Sequence, residues 1–177
     1  MPDLILRKTE AQCYGRLRFW SEETPKYTIK VAQGFLGKPN AEKRSRKAHE
    51  AISKGSGDHA GHLIARRFGG PDAACNLARQ NYMQNRGGGT YYTVEDIWAE
   101  ALDDGAEVYV TVREKTLLGK DRTFYRDAEW TITSKTKRET HDKICFLNTE
   151  SDKTRAATGL PTKQYDTPAD VIPLRRS

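Results

Sequence analysis

The sequence predicts an α+β domain in which a mostly antiparallel sheet surrounds a central strand–loop–helix unit. Residues 107–112 alternate apolar and polar side chains, which is the two-residue period of a strand with one buried face. Residues 94–102 instead repeat apolar side chains at three- and four-residue spacing, the period of an amphipathic helix. A long polar segment precedes that helix, and a chain of 177 residues suits one domain with its own core.

The first third of the chain predicts strands followed by a basic segment. Residues 14–20 and 27–31 alternate weakly and are predicted to form early strands or a hairpin. Residues 39–53 lack a strong apolar face and are predicted to be a basic helix or loop. The basic side chains of this segment are Lys43, Arg44, Arg46 and Lys47.

The centre of the chain predicts one short strand and then a long loop. Residues 62–65 are apolar after His62 and are predicted to form a strand, which Gly69, Gly70 and Pro71 then break. A polar loop is predicted from there to residues 87–89. Loops of this length are usually functional or disordered, so this one is a candidate functional segment.

The helix that follows has a predicted start and end. Thr93 is predicted to be its N-cap, with Asp96 three residues later as a short version of a capping box. Gly105 is predicted to terminate it. The apolar stripe between them consists of Val94, Ile97, Trp98, Ala101 and Leu102.

More antiparallel sheet is predicted after the helix. Residues 118–122 form a predicted turn between the strand at 107–112 and a returning strand at 124–133. Residues 143–147 predict one further strand.

The end of the chain differs in composition from what precedes it. Residues after Asn148 are polar and contain three prolines. The domain is therefore predicted to occupy residues 1–150, and residues 151–177 are predicted to be a tail that wraps around it or is partly disordered.

Hydropathy and cysteine content exclude several classes of protein. No apolar run approaches the roughly 20 residues of a membrane-spanning helix, and residues 1–7 lack the layout of a signal peptide. The expectation is a soluble protein that is either cytoplasmic or delivered by a dedicated secretion system. Three widely spaced cysteines without a CxxC pair favour buried free thiols over a disulfide framework or a structural zinc site, with one isolated disulfide as the alternative.

Charge is distributed unevenly along the chain. Residues 1–67 hold 14 Lys or Arg against 7 Asp or Glu, whereas residues 90–112 hold six acids and no base. A basic segment favours a polyanionic partner, because each phosphate contacted releases counterions. The alternative from charge alone is an ordinary basic surface of a soluble protein.

Three polar residues occur in an order that suits phosphodiester hydrolysis. This reaction needs an activated water, stabilisation of charge on phosphorus and help for the leaving oxygen. A neutral histidine can deprotonate water, and a divalent cation held by amide and carboxylate oxygens can supply the charge. The sequence offers His62, Asn85 and Glu95 in that order. Taken singly, each has an ordinary structural explanation as a core histidine, a turn residue or a helix-capping charge.

The motifs around these residues resemble those of the DNA/RNA non-specific endonuclease family, and most closely the branch found at the ends of bacterial polymorphic toxins. The resemblance covers roughly residues 14–148 and is most specific at 58–98. It rests on Gly61-His62-Leu63-Ile64-Ala65-Arg66-Arg67-Phe68-Gly69-Gly70, Asn76-Leu77-x-x-Gln80-Asn81, Asn85-Arg86-Gly87 and Tyr92-x-x-Glu95-x-x-Trp98.

The resemblance implies a ββα-metal (His-Me finger) nuclease fold, with the finger at about residues 58–105. It implies a largely non-specific, metal-dependent endonuclease acting on DNA and RNA with Mg²⁺ or Mn²⁺ and no small-molecule cofactor. It also implies a toxin or effector role, with a cognate immunity protein as partner; an acidic inhibitor would seek the basic cleft. The implied residues are His62, Asp58, Arg66 and Arg86 for catalysis, Arg67, Asn76, Gln80 and Asn81 for nucleic-acid binding, and Asn85 and Glu95 for the metal.

The chain departs from the family pattern at two places. Ala60 stands where many members have the arginine that contacts phosphate, so Arg66, Arg67 or Arg86 is expected to supply that charge. Two extra glycines at 88–89 lengthen the step from Asn85 to Glu95, which makes Glu95 the less secure metal ligand.

Three alternatives remain open from the sequence. A non-catalytic nucleic-acid-binding module explains the basic charge but not the ordered polar motifs. A sequence-specific nuclease would need a base-recognition element that the sequence does not display. His59 and His62 would share a metal only across a turn, since residues three apart in a strand face opposite ways. His49 and His141 are predicted to be surface residues.

Overall fold

The computed structural model describes residues 4–55, 57–81, 90–120 and 122–148. Within these ranges the chain forms nine β-strands, two α-helices and two short 3₁₀ turns at Arg66–Phe68 and Ala74–Asn76. The helices are α1 (Arg46–Ser53) and α2 (Thr90–Asp103). The strands are β1 (Arg7–Lys8), β2 (Gln12–Tyr14), β3 (Leu17–Glu23), β4 (Tyr27–Phe35), β5 (His59–His62), β6 (Leu77–Gln80), β7 (Glu107–Leu117), β8 (Thr123–Thr133) and β9 (Glu139–Leu147).

The main sheet is antiparallel and has the order β1-β3-β4-β7-β8-β9, with β2 also paired to β3. Strands β5 and β6 form a separate antiparallel pair in which His62 lies opposite Leu77. This pair and α2 make a ββα unit beside the main sheet. The predicted α+β class with a mostly antiparallel sheet is therefore confirmed.

The face of the main sheet that carries α2 changes from apolar to charged along its length. Val108, Val110 and Val112 of β7 are fully buried and lie opposite Ile132, Trp130 and Ala128 of β8. Two residues further on, the same register places Glu114 opposite Arg126, and both are buried as an ion pair.

Helix α2 packs on the apolar part of this face through an aromatic cluster. The Trp98 ring lies edge-on to Trp130 at 5.8 Å between centroids, and it contacts Phe68 and Tyr91 in the same way. Burying such large rings contributes much of the hydrophobic free energy of a domain this size. The cluster fixes α2 against both the sheet and the segment that follows β5.

A buried asparagine holds the chain between the two finger strands. Asn76 accepts a hydrogen bond from the backbone N–H of Ile64 and donates to the carbonyls of Ile64 and Pro71, all at 2.9 Å. Lys30 of β4 donates to the carbonyls of Ala74 and Leu77, which ties the same segment to the main sheet.

Several predicted boundaries around the finger were wrong. His62 ends strand β5 instead of beginning one, because the chain pairs with β6 before it and turns away after it. The predicted loop contains β6 and the 3₁₀ turn at Ala74–Asn76, and the 3₁₀ turn at Arg66–Phe68 precedes it. Helix α2 begins at Thr90, so Thr93 lies inside it and is not its cap.

Other boundaries agree more closely with the prediction. Gly105 follows the end of α2 with a φ of 77°, as a helix-terminating glycine does. The strand predicted at residues 107–112 continues to Leu117, and the one predicted at 143–147 begins at Glu139. The predicted tail, residues 151–177, lies outside the described residues, so the domain boundaries stay a prediction.

The cysteines and helices agree with most of the sequence expectations. Cys13, Cys75 and Cys145 are free thiols, although Cys13 is exposed and the other two are only partly buried. Among the described helices, none is long and apolar enough to cross a membrane.

Candidate active site

His62 lies at the point where β5, α2 and the charged part of the main sheet meet. Its carbonyl accepts a hydrogen bond of 3.0 Å from Nη1 of Arg126 on β8. The next carbonyl, that of Leu63, accepts from the hydroxyl of Tyr91 in the first turns of α2, and the Arg126 guanidinium stacks on the Tyr91 ring at 4.2 Å. The end of β5 is thus fixed by both neighbouring elements.

A single carboxylate organises the imidazole of His62. Oδ1 of Asp72 lies 2.7 Å from Nε2 of His62 and 3.3 Å from Nε2 of His49 on α1. Oδ2 accepts from the backbone N–H of Ser45 at 2.7 Å and from Nη1 of Arg66 at 2.8 Å. Both oxygens of Asp72 are therefore hydrogen-bonded in fixed directions.

These contacts determine the protonation state of His62. Burial alone would raise the pKa of Asp72, but the hydrogen bonds from His62, Ser45 and His49 outweigh it and hold that pKa far below its usual range. Burial lowers the pKa of His62, and its hydrogen bond to Asp72 only partly opposes this. Since a carboxylate only accepts, a neutral His62 must carry its proton on Nε2, which leaves the lone pair on Nδ1.

Glu95 faces this region from α2, one helical turn beyond Tyr91. Burial raises the pKa of Glu95 to about 7, although the charges of Arg67 and Arg126 oppose the shift. Its Oε2 lies 3.7 Å from Nη2 of Arg67. A buried carboxylate that is so incompletely compensated fits a position beside a divalent cation, which would restore its ionised form.

Residues 32–138, more than half of the chain, match the sequence model of the family described as DNA/RNA non-specific endonuclease. The chain belongs to this family. Membership supports nuclease activity, with nucleic acid as the substrate. The ββα unit that carries His62 and Glu95 lies entirely within the matched residues.

Asp58, Arg66 and Arg67 lie near His62 in the chain and make different contacts. Asp58 forms a two-pronged ion pair with Arg122 at 2.6 and 2.8 Å, which ties the start of β5 to the turn between β7 and β8. Arg66 binds Asp72 and the backbone carbonyls of residues 40 and 42. Arg67 is less enclosed and lies between Glu95 and Asp96.

The other three residues that were predicted to bind nucleic acid, Asn76, Gln80 and Asn81, are buried. Asn76 holds the chain between β5 and β6, and the backbone N–H of Asn81 donates a hydrogen bond to Oδ1 of Asn148. Gln80 packs against Gly61, where an added Cβ would lie 2.1 Å from its Oε1. Such positions hold loops and strands in place, whereas the side chain of Arg67 is 36% exposed.

Two predicted residues, Asn85 and Arg86, lie outside the described residues. The two extra glycines at 88–89, between Asn85 and Glu95, also lie outside them. The segment that contains them joins the end of β6 to the start of α2. Their roles as metal ligand and catalytic arginine stay predictions.

The structure adds residues that the sequence did not single out. Asp72 and His49 join His62 in a cluster whose ligand atoms all lie within 4.8 Å of one another, a group that could hold a metal ion. His49 is therefore not the surface residue that was predicted, whereas His141 is, with 69% of its side chain exposed. Of the buried pair of Glu114 and Arg126, only Arg126 had a signal in the sequence, because it falls on the inward register of the strand predicted at 124–133, whereas Glu114 lies beyond the strand predicted at 107–112.

Proposed function

We propose that this chain is a metal-dependent endonuclease that hydrolyses phosphodiester bonds in DNA and RNA with little sequence preference. The observation that carries the proposal is the pairing of His62 with Asp72. A buried imidazole with its proton directed to a carboxylate is suited to accept a proton from water through Nδ1. Binding to nucleic acid without cleavage does not require this arrangement.

The proposed reaction is a direct displacement at phosphorus. His62 takes one proton from a water molecule while the water oxygen forms a bond to phosphorus, and the bond from phosphorus to the leaving oxygen breaks. The leaving oxygen ends as a hydroxyl by taking a proton from solvent. Asp72 holds the imidazole by its Nε2 proton and stabilises the positive charge that His62 acquires.

A divalent cation, Mg²⁺ or Mn²⁺, would supply charge stabilisation for the phosphorane and the leaving oxygen. Glu95 is proposed to hold water molecules of that cation, and Asn85 to bind it through its amide oxygen. The support for Glu95 is its burial, its raised pKa and its position on α2 beside the end of β5. Oxygen donors of this kind are those that Mg²⁺ prefers.

Arg67 is the proposed cation that contacts the scissile phosphate. Arg66 is committed to Asp72, whereas Arg67 lies beside Glu95 with about a third of its side chain exposed. A guanidinium there can approach an oxygen of the phosphate from the same side as the cation.

We also propose the biological role of an antibacterial toxin or effector that a dedicated system delivers and a cognate immunity protein neutralises. The support is the motif resemblance to the polymorphic-toxin branch. Induced expression in a bacterium should arrest growth with DNA loss, and expression of the His62→Ala variant should not. Equal growth arrest by both would contradict a toxic nuclease.

The decisive experiment is digestion of plasmid DNA and total RNA by the purified chain, with Mg²⁺, with EDTA and as His62→Ala. His141→Ala, an exposed histidine, is the matched control. We expect cleavage that EDTA and His62→Ala both abolish and that His141→Ala retains. Tight binding without cleavage in Mg²⁺ or Mn²⁺ would instead establish a non-catalytic binding module.

A further inference from the structure

We propose that His49, Asp72 and His62 form a second metal site, selective for Zn²⁺, whose occupation switches the endonuclease off. The inhibitory half of this inference rests on the proposed function of His62. The site itself rests on geometry alone.

The three ligand atoms are already gathered at one point. One ligand atom from each of His49, His62 and Asp72 lies within 4.8 Å of the other two, and these side chains are only 16%, 12% and 4% exposed. Zn²⁺ binds imidazole nitrogen and carboxylate oxygen at about 2.0–2.2 Å, which places tetrahedral ligand atoms roughly 3.3 Å apart. The contact of His49 with Asp72 already has this length, 3.3 Å, and that of His62, 2.7 Å, must open by about half an ångström.

The chemistry of the ligands distinguishes this site from the proposed Mg²⁺ site. Two imidazoles and one carboxylate suit Zn²⁺, whereas Mg²⁺ prefers oxygen ligands throughout. Three protein ligands leave the fourth tetrahedral position to water. Glu95 on α2 is not a member of the cluster.

The hydrogen bonds around Asp72 orient its carboxylate as a metal ligand. Its Oδ2 accepts from Ser45 and Arg66, so Oδ1 stays directed at the two histidines. Contacts of this kind, one shell away from the metal, normally orient metal ligands. The nearby positive charge of Arg66 weakens the binding of a cation, which makes occupation reversible.

Zinc at this site would remove the catalytic base, because it would move the imidazole proton of His62 from Nε2 to Nδ1. In the metal-free protein, each imidazole points an Nε2 proton at Asp72. Zinc requires the Nε2 lone pairs, so each neutral imidazole carries its proton on Nδ1 instead, and no proton is lost overall. His62 then has no lone pair with which to accept a proton from water.

The test compares three full-length proteins stripped of metal: the natural chain, His49→Gln and the control His141→Gln. Glutamine at position 49 keeps a hydrogen-bond donor for Asp72 but lacks an imidazole, and the proposed cleavage reaction gives His49 no role. Zinc affinity is measured by calorimetry without nucleic acid. Cobalt(II) absorption in the visible range reports whether the coordination is tetrahedral.

We expect one Zn²⁺ site that His141→Gln retains and that His49→Gln weakens by about tenfold or more. Zinc should inhibit Mg²⁺-supported cleavage by the natural chain and by His141→Gln. In His49→Gln, the zinc concentration that halves the cleavage rate should rise by about the same factor as the zinc affinity falls. Equal zinc affinity in all three proteins would overturn the site.

Two further outcomes separate this proposal from the proposed function. Zinc binding that depends on His49 in a chain without nuclease activity would support the site and contradict the proposed function. Zinc binding at this site with unchanged cleavage would overturn the inhibitory role.

Discussion

Asp72 determines what His62 can do because both of its oxygens are already engaged. Ser45 and Arg66 donate to one oxygen, and the two histidines donate to the other. The direction of the proton on His62 therefore depends on Asp72 remaining an acceptor on that side.

The substitution Asp72→Asn should move the imidazole proton of His62 to the other ring nitrogen. Ser45 and Arg66 would retain the amide oxygen, which turns the amide NH₂ toward Nε2 of His62 and moves the imidazole proton to Nδ1. We expect kcat to fall on the order of 100-fold while KM for DNA changes little. Single-turnover cleavage rates measured alongside thermal unfolding separate this effect from loss of folded protein.

Asp127→Asn is the matched control, because Asp127 also pairs with an arginine, Arg113, but lies on the opposite face of the sheet. It should retain the natural kcat. A folded Asp72→Asn protein with the natural kcat would contradict the role given to Asp72.

Glu95→Gln should raise the Mg²⁺ concentration needed for half-maximal cleavage by about 10- to 100-fold. The amide removes the charge that would hold metal-bound water. Glu100→Gln on the exposed side of the same helix should not change the requirement. Cleavage rates of the natural chain, Glu95→Gln and Glu100→Gln are measured over a range of Mg²⁺ concentrations. Equal Mg²⁺ requirements of all three proteins would contradict a role for Glu95 in the metal site.

His62 and Glu95 were predicted from the sequence as site residues, whereas Asp72 and His49 were not, and the reason is physical. The first two belong to motifs whose spacing along the chain carries the information. Asp72 meets His49 only because α1 folds back beside the finger, a tertiary contact across 23 residues that no local pattern encodes.

At the scale of elements, the turn after β5 depends on close contact between backbone segments. A Cβ at Gly70 would lie 1.8 Å from the Ile64 carbonyl oxygen and 2.9 Å from Nδ2 of Asn76, so the backbone would have to move. This turn connects His62 to Asp72. Any shift in it changes the distance between these two side chains.

Gly70→Ala should therefore destabilise the protein by about 1–3 kcal/mol and also reduce kcat. Gly57→Ala, where an added Cβ meets nothing within 4 Å, is the control and should stay close to the natural protein. Urea unfolding and cleavage rates measure both effects. A Gly70→Ala protein of natural stability would show that the turn adjusts without cost.

The elements themselves were predictable to different degrees. Alternation in β7 and β8 and the apolar stripe of α2 identified these elements because each buries one face. The short strand β6 was missed, since four residues give too little alternation to separate a strand from a loop. The cap at Thr93 was misplaced because a capping pattern also occurs inside a helix.

At the scale of the whole molecule, basic residues at the start of α1 and just before it are close in the chain to His49, and the charge of Arg44 acts on His62. The rings of His49 on α1 and His62 are tilted to each other with 5.2 Å between their centroids, and Lys43, Arg44 and Lys47 are exposed and close to His49 in the chain. This surface is well placed to hold the phosphates that flank a scissile bond.

Reversing these charges in Lys43→Glu, Arg44→Glu and Lys47→Glu together should weaken DNA binding and raise KM, with a smaller effect on kcat. Each lost phosphate contact should reduce the slope of log K against log salt by about 0.9 for duplex DNA. Binding in EDTA at several salt concentrations measures the slope.

The control reverses three other exposed charges, Lys135, Lys137 and Arg138, in the turn between β8 and β9. It changes the net charge by the same amount at the opposite end of β8 from Arg126. If both triple variants lose the same affinity, long-range charge and not a local surface governs binding.

The buried pair of Glu114 and Arg126 makes the alignment of β7 with β8 an all-or-none property. A slip of β8 by one residue would turn Arg126 to the opposite face and leave Glu114 buried without its partner, at a cost of several kcal/mol. Arg126 also holds the carbonyl of His62. The register of this hairpin is thus coupled, through Arg126, to the position of the strand that carries His62.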